Sequence, residues 1–411
     1  GRDFGPRLPS VVCALLTALV LFRFLKRRTD IDLARIATAA YGGSLLVVGT
    51  GRLLLADAPL VLALVIAFTT FYDSIDGQPK KRLLTAIALG FAVLAKGPVA
   101  CVLFALLAGF TYWRMPELRP NFKGYWLTGF ALFAVVVAAW YVPCYLANGH
   151  TFVHDFLYEQ NIGRFSGRDL AHKTYVWMIP FYFPLAAYFA MLPWSIWPKA
   201  RSWFQQPEGR LMHYLWIWGI VVIAFFSLSM TKLPHYVLPA IAPLTVVVVA
   251  RALERWKHKH GADFWLKCAL AWSCVIAAVA TPVFYLYSQS RFAEVQQIAT
   301  YLNSLDGTPV LFGTGRQSKD EGMSATLNET SHPSFFFYLD REGLMTGDVE
   351  DVAKIDGVVD LVAKPERLDA ETLNLLALSG FRIRKRKLPF MTKQYGLWRL
   401  EPVMFDRALV R

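Results

Sequence analysis

The chain has 411 residues, 55% of them hydrophobic and 18% charged, with a formal net charge of +13. Soluble domains carry about 25% charged residues, so this composition excludes an ordinary soluble globular protein. The basic residues stand in short connections beside apolar runs, which reads as membrane topology and contact with anionic lipid headgroups and argues against nucleic acid as a partner.

In chain order, the apolar runs predict spans over 9–25, 33–49, 55–72, 83–95, 98–113, 125–147, 175–198, 211–230, 234–252 and 264–288. That makes a polytopic α-helical membrane protein with about ten transmembrane helices, several of them short for a hydrocarbon core of roughly 30 Å. The fourth and fifth runs meet at Lys96-Gly97-Pro98. All five cysteines (Cys13, Cys101, Cys144, Cys268 and Cys274) fall inside apolar runs and read as packing residues.

The connections alternate in charge. One set holds Arg23, Lys26, Arg27, Arg28 and Arg35, then Lys80, Lys81 and Arg82, then Arg114, Arg119 and Lys123. It continues with Lys199, Arg201 and Arg210, and with Arg251, Arg255, Lys257, Lys259 and Lys267. The opposite set is sparser: Arg2, Arg7, Arg52, Lys96, Arg164, Arg168, Lys173 and Lys232. The positive-inside rule puts the first set in the cytoplasm. The sequence thus divides into a multi-pass membrane region, 1–288, and a small extracytoplasmic α/β domain, 289–411. In the latter, "TPVLFGTG" and "DGVVDLVAK" read as strands and "RLDAETLNLLALSGF" as a helix. Gly313-Thr314-Gly315 is too short a glycine motif for a phosphate loop.

The sparsely charged side is the informative one, because ionisable groups beside or within spans are costly unless they face a cavity or a partner. Asp57 opens the third run, with Arg52 five residues before it; the plain alternative is a carboxylate favoured by a helix N-terminus ahead of Pro59. Lys96, at a Gly-Pro break, is either a snorkelling lysine or an ammonium facing an anion. The longest connection on this side, before the C-terminal domain, gathers Glu159, Asn161, Arg164 and His172; arginine is well shaped for two-pronged contact with phosphate, whereas a single histidine is weak evidence. Lys232, His235 and Tyr236 lie in "SMTKLPHYVLP", with Pro234 suited to a helix start. Several cations at one membrane face suit a lipid phosphate or pyrophosphate, and the chemistry by itself stops at an outward-facing anionic-lipid site.

The stretches "GRLLLADAPL", "VLAKGPVA", "EQNIGRF" with its later histidine, and "TKLPHYVLPAIAPL", in this order and spacing, resemble the GT-C-type glycosyltransferases that use polyprenyl-phosphate sugars. The similarity is strongest to the bacterial aminoarabinose transferase-like branch, related to protein O-mannosyltransferases. It runs over the membrane region to about residue 290. The resemblance implies an inner-membrane enzyme that moves a sugar from a polyprenyl-phosphate donor to lipid A, another glycan or a protein on the periplasmic face. The reaction would be an inverting displacement, with a carboxylate acting on the acceptor and cations stabilising the departing phosphate. By motif position, Arg164, Lys232 and Tyr236 would bind or flank that phosphate, with Lys96 as a further phosphate-facing cation. Asp57 would match the family acid, with a structural or acceptor-side role. Members can hold a divalent metal near the acceptor, but Asn161 stands where many carry histidine, which argues against one here. The family's acidic first outer loop and its phosphate-binding lysine motif are expected upstream of Gly1. A transporter or flippase for an anionic lipid is the competing reading, and it calls for an internal repeat that the sequence does not display. A non-catalytic scaffold would leave the charges beside the spans unexplained.

Overall fold

The computed structural model describes residues 5–53, 55–154, 180–196, 209–229, 232–256, 260–312, 335, 338–365, 368–392 and 395–403. They fall in two compact units, the first ending at Pro282 and the second beginning at Val283.

The first unit is helical. Its helices are α1 (Leu8–Lys26), α2 (Ile31–Gly42), α3 (Leu45–Thr50), α4 (Asp57–Ile75), α5 (Lys81–Lys96), α6 (Val99–Arg114), α7 (Trp126–Thr151), α8 (Tyr182–Ala190), α9 (Arg210–Leu228) and α10 (Leu238–Trp256). The start of α11 (Ala262–Leu302) completes it. Six helical segments among the described residues are long and apolar enough to cross a membrane: Gly5–Lys26, Asp57–Ile75, Trp126–His150, Arg210–Leu228, Pro234–Arg255 and Ala262–Leu286. Val99–Arg114 is a shorter apolar helix.

Two expected spans take a different form. The run over 33–49 is two helices, because the chain leaves α2 at Gly43 and turns extended at Ser44 (ψ 132°). Gly43 lies against Ser273, with no room for a Cβ. Within 175–198 the described helix is only Tyr182–Ala190, followed by a turn through Pro193.

Helix α4 is central: nearly every residue from Leu60 to Ile75 is buried. Phe68 stacks edge-on against Trp218 (5.0 Å) and Phe71 against Phe104 (5.1 Å), while the Tyr214 hydroxyl donates to the Phe68 carbonyl at 2.7 Å. Such aromatic pairs bury large areas in preferred edge geometry. Helix α7 is the opposite case, exposing Leu127, Phe130, Val135 and Trp140. A helix that apolar and that uncovered suits a hydrocarbon surround.

One end of the bundle is locked by ion pairs. The Arg28 guanidinium meets Asp73 Oδ1 at 2.7 Å and also pairs with Asp76, while Arg27 reaches Asp73 Oδ2 at 3.4 Å and Arg210 reaches Asp76 Oδ1 at 3.3 Å. Asp73 is 1% exposed, so its charge depends on these partners. The lock ties the ends of α1 and α4 to the start of α9.

The second unit is a five-stranded mixed sheet of order β2-β1-β3-β5-β4, formed by β1 (Thr308–Phe312), β2 (Leu344–Thr346), β3 (Val359–Ala363), β4 (Phe381–Arg386) and β5 (Gly396–Pro402). β1 pairs in parallel with β2 and β3, and β5 runs antiparallel to β3 and β4. Side chains alternate as a pleat requires. Val310, Phe312, Val359, Leu361, Trp398 and Leu400 share one core with Leu376 of α13 (Ala370–Leu378); the short α12 (Val349–Ala353) adds Val352. Leu311, Val362 and Leu397 pack on the other face against Val295, Ile298 and Leu302 of α11. Asp369 caps α13 by accepting from the Thr372 amide. Asp360, fully buried in β3, accepts from the Gly307 amide at 3.1 Å and faces Arg399 at 3.8 Å. Burial pushes its carboxyl above the ordinary range, against the pull of Arg399.

Candidate functional site

Three helix termini meet at the other end of the bundle. Helix α4 begins at Asp57, where a carboxylate is favoured by the helix N-terminus. Helix α5 ends at Lys96, where a cation is favoured by the helix C-terminus. Gly97, at φ +81° and ψ −165°, then turns the chain straight into Pro98 and α6, a backbone conformation that needs glycine. The third terminus is a short 3-10 turn, Pro234–Val237, that leads into α10 and carries His235 and Tyr236.

These termini bring four polar side chains together. Lys96 Nζ lies 2.5 Å from Asp57 Oδ1, and His235 Nε2 lies 3.8 Å from Asp57 Oδ2. The same ammonium stands 4.5 Å from the centre of the Tyr236 ring, and the His235 and Tyr236 rings meet edge to face at 5.0 Å. Asp57 is 4% exposed, whereas the Lys96 and His235 side chains keep 26% and 21% of their surface. The carboxylate is thus the buried anchor, and the two bases are the reachable face. Removing one partner of such a pair leaves a charge uncompensated at a cost of several kcal/mol.

The remaining expected residues are placed as follows. Lys232 is 6% exposed and sits just before the turn, but its ammonium donates to the carbonyls of Ser227 (2.7 Å), Phe226 (3.2 Å) and Ser229, closing the C-terminus of α9. Burial pushes that ammonium below its ordinary range. It also lies over the Phe183 ring at 5.4 Å. Arg52 donates from Nη2 to the Ala277 carbonyl of α11 at 3.2 Å and is not paired with Asp57. Glu159, Asn161, Arg164 and His172 lie outside the described residues. Among the described residues no three His, Cys, Asp or Glu side chains converge as a metal site would need.

An apolar groove of about 370 Å³ opens beside the turn, between Leu46, Phe181, Tyr182, Ala186, Phe189 and Pro234. A hydrocarbon tail lying there would run next to the turn that carries His235 and Tyr236.

Residues 1–142 match the family model described as dolichyl-phosphate-mannose-protein mannosyltransferase. The chain is also 28% identical over 272 residues to the undecaprenyl phosphate-alpha-4-amino-4-deoxy-L-arabinose arabinosyl transferase of Pseudomonas aeruginosa, covering 61% of this chain and 46% of that protein. The protein of the same description from Erwinia tasmaniensis is 29% identical over 268 residues, covering 62% and 46%. The chain is thus similar in sequence to these transferases over part of its length. It spans about half the length of these curated relatives. In three dimensions it resembles ArnT from Cupriavidus metallidurans bound to undecaprenyl phosphate, with TM-score 0.71 at 17% identity over 97% of this chain and 84% of that one. The apo form of the same protein gives TM-score 0.69 at 16% identity. The likeness in fold covers nearly the whole chain.

What reading residue by residue did not foresee is that Asp57 and Lys96 touch. The signal was present. Opposite charges at the start of one run and the end of the next come to the same depth when consecutive helices run antiparallel.

Proposed function

We propose that the chain is a membrane glycosyltransferase that draws its sugar from a polyprenyl-phosphate donor and delivers it to lipid A, another glycan or a protein. The likeness to an undecaprenyl-phosphate-bound transferase over nearly the full chain carries this reading, and the sequence relatives point the same way, away from a transporter. The reaction would take place at the periplasmic face of a bacterial inner membrane, with the sheet unit on that side.

The chemistry asks for little. An acceptor oxygen attacks the anomeric carbon as the bond to the phosphate oxygen breaks; the electron pair leaves with polyprenyl phosphate, and the acceptor proton passes to a base. Cations near the departing phosphate stabilise the charge that develops on it. Lys96 would take that task; its ammonium is held by Asp57 and flanked by the Tyr236 ring, which supports the reading. Asp57, with both oxygens facing bases, serves to position Lys96 and His235. Arg164 would add a second, two-pronged phosphate contact, and Lys232 shapes the turn from behind. The apolar groove beside Pro234 suits the first isoprene units of the donor.

The test is transfer by the purified complete protein in liposomes, supplied with undecaprenyl-phosphate-linked aminopentose and lipid A and read by the mass gain of the acceptor. Transfer that disappears in Arg164→Ala and Lys96→Met, with folding intact, is the expected result. Undiminished transfer in both variants would remove these cations from the site, and no binding of any polyprenyl-phosphate sugar by the wild type would end the reading.

A further inference from the structure

A second groove, of about 240 Å³, lies between α5, α6 and α7. Its walls are Ala86, Leu89, Phe104, Gly129, Phe130 and Phe133, and Arg82 and Thr85 stand at its polar end. Arg82 is 1% exposed. Its guanidinium donates to the carbonyls of Lys123 and Asn121, each at 2.7 Å, and to that of Gly124, and it lies over the Trp126 ring at 4.7 Å. Its Nε is buried with no hydrogen-bond partner. No carboxylate among the described residues lies within ion-pairing distance of this arginine. Arg28, by contrast, has two.

The surroundings share that imbalance. Lys81 precedes Arg82, and Lys123 supplies one of the carbonyls it binds; neither has a carboxylate partner among the described residues. Tyr112, Trp113, Tyr125 and Trp126 are exposed around the α6–α7 connection, as aromatic side chains are at the level of lipid headgroups. Below that level the outer face of α7 is bare hydrocarbon, with Leu127 84% and Phe130 67% exposed. A buried cation without a counter-charge is expensive. The groove thus has Arg82 and Trp126 in its lining above an apolar floor, with Lys81 adjacent in the chain and Lys123 joined to Arg82 through its carbonyl.

We propose that this groove holds one molecule of anionic phospholipid, its phosphate neutralising the Arg82, Lys81 and Lys123 cluster and one acyl chain lying along Leu89, Phe104 and Phe133. The lipid is a resident of the fold, at the end of the bundle away from Asp57. Gly129 lines the groove at a point where α7 comes close to α5, so that an added Cβ would touch Ala86.

Lipid-stripped full chain in detergent tests this by native mass spectrometry and thermal unfolding. Phosphatidylglycerol should bind at least tenfold more tightly than phosphatidylethanolamine with the same acyl chains, and it should raise Tm. Gly129→Leu, whose side chain would enter the groove past Ala86, should abolish that preference. The double variant Lys81→Gln/Lys123→Gln, which leaves the groove open, should reduce it severalfold and decides the matter if Gly129→Leu does not fold. Equal binding of the two lipids, or a preference unchanged in the folded variants, would overturn the proposal. So would equal stabilisation by glycerol 3-phosphate alone, since that would make the site one for a soluble anion.

Discussion

The two ends of helix α4 carry the same kind of residue and use it differently. At the Asp73 end, two carboxylates meet three arginines, and the most deeply buried of these oxygens face guanidinium groups. At the Asp57 end, a single carboxylate meets a lysine and a histidine that both keep part of their surface open. Arginine forks suit permanent, planar pairing, whereas lysine and histidine are compact groups that change partner or protonation readily. The first end therefore reads as a lock and the second as a place where something is exchanged.

The comparison breaks most sharply at Arg28. Arg28→Ala leaves Asp73 and Asp76 with only their weaker partners, and the expected loss is about 3 kcal/mol of stability. Donor binding per folded molecule should be unchanged, as measured by thermal unfolding beside a lipid-binding assay. Lys96→Met should differ in its effect on binding. We expect a loss of donor binding per folded molecule worth about 2 kcal/mol, or roughly thirtyfold, from a lost charge-assisted contact, in addition to the loss of stability from leaving Asp57 uncompensated. If both variants lose stability and binding alike, the two ends do not differ in role. Tyr214→Phe, between the ends, removes one buried hydrogen bond to Phe68 and should cost about 1 kcal/mol with no effect on binding.

The smallest effect lies in the sheet unit and depends on pH. Asp306 is held below the usual carboxylate range, chiefly by its hydrogen bond from Arg399. A depressed carboxyl contributes stability that is complete above the unfolded pKa and fades as pH falls through the folded one. Asp306→Asn should therefore match the wild type more closely as pH drops below about 4, and a gap between them that widens on acidification would contradict the assignment.

Much of the first unit was legible because hydrophobic runs and loop charges report directly on helices and their order. Asp57, Lys96, His235 and Tyr236 stood out because polar groups beside such runs are conspicuous. Their mutual contact was not legible, since it depends on the depth at which each helix ends. Direction was also hidden. Lys232 looks like an anion-facing cation in sequence, yet the extended backbone at Leu233 and the open carbonyls at the end of α9 give its ammonium a nearer partner. The lock at Arg28 was missed because its arginines read equally well as topology signals. The break at Gly43 follows from a close approach to Ser273, a residue 230 positions later, which no local pattern reveals.

The short contact between Lys96 and Asp57 has one more implication. An anion arriving at this ammonium does not find a vacancy; it must compete with a carboxylate already seated there and held in place by His235. Only a competitor stronger than a carboxylate can take the lysine, so chloride and simple carboxylic acids should pass by, while a phosphate group whose charge grows from one to two as the sugar leaves can displace Asp57. Resident competition of this kind is a filter, and it would let a site at a salty membrane surface respond to a scarce lipid while ignoring the abundant small ions around it.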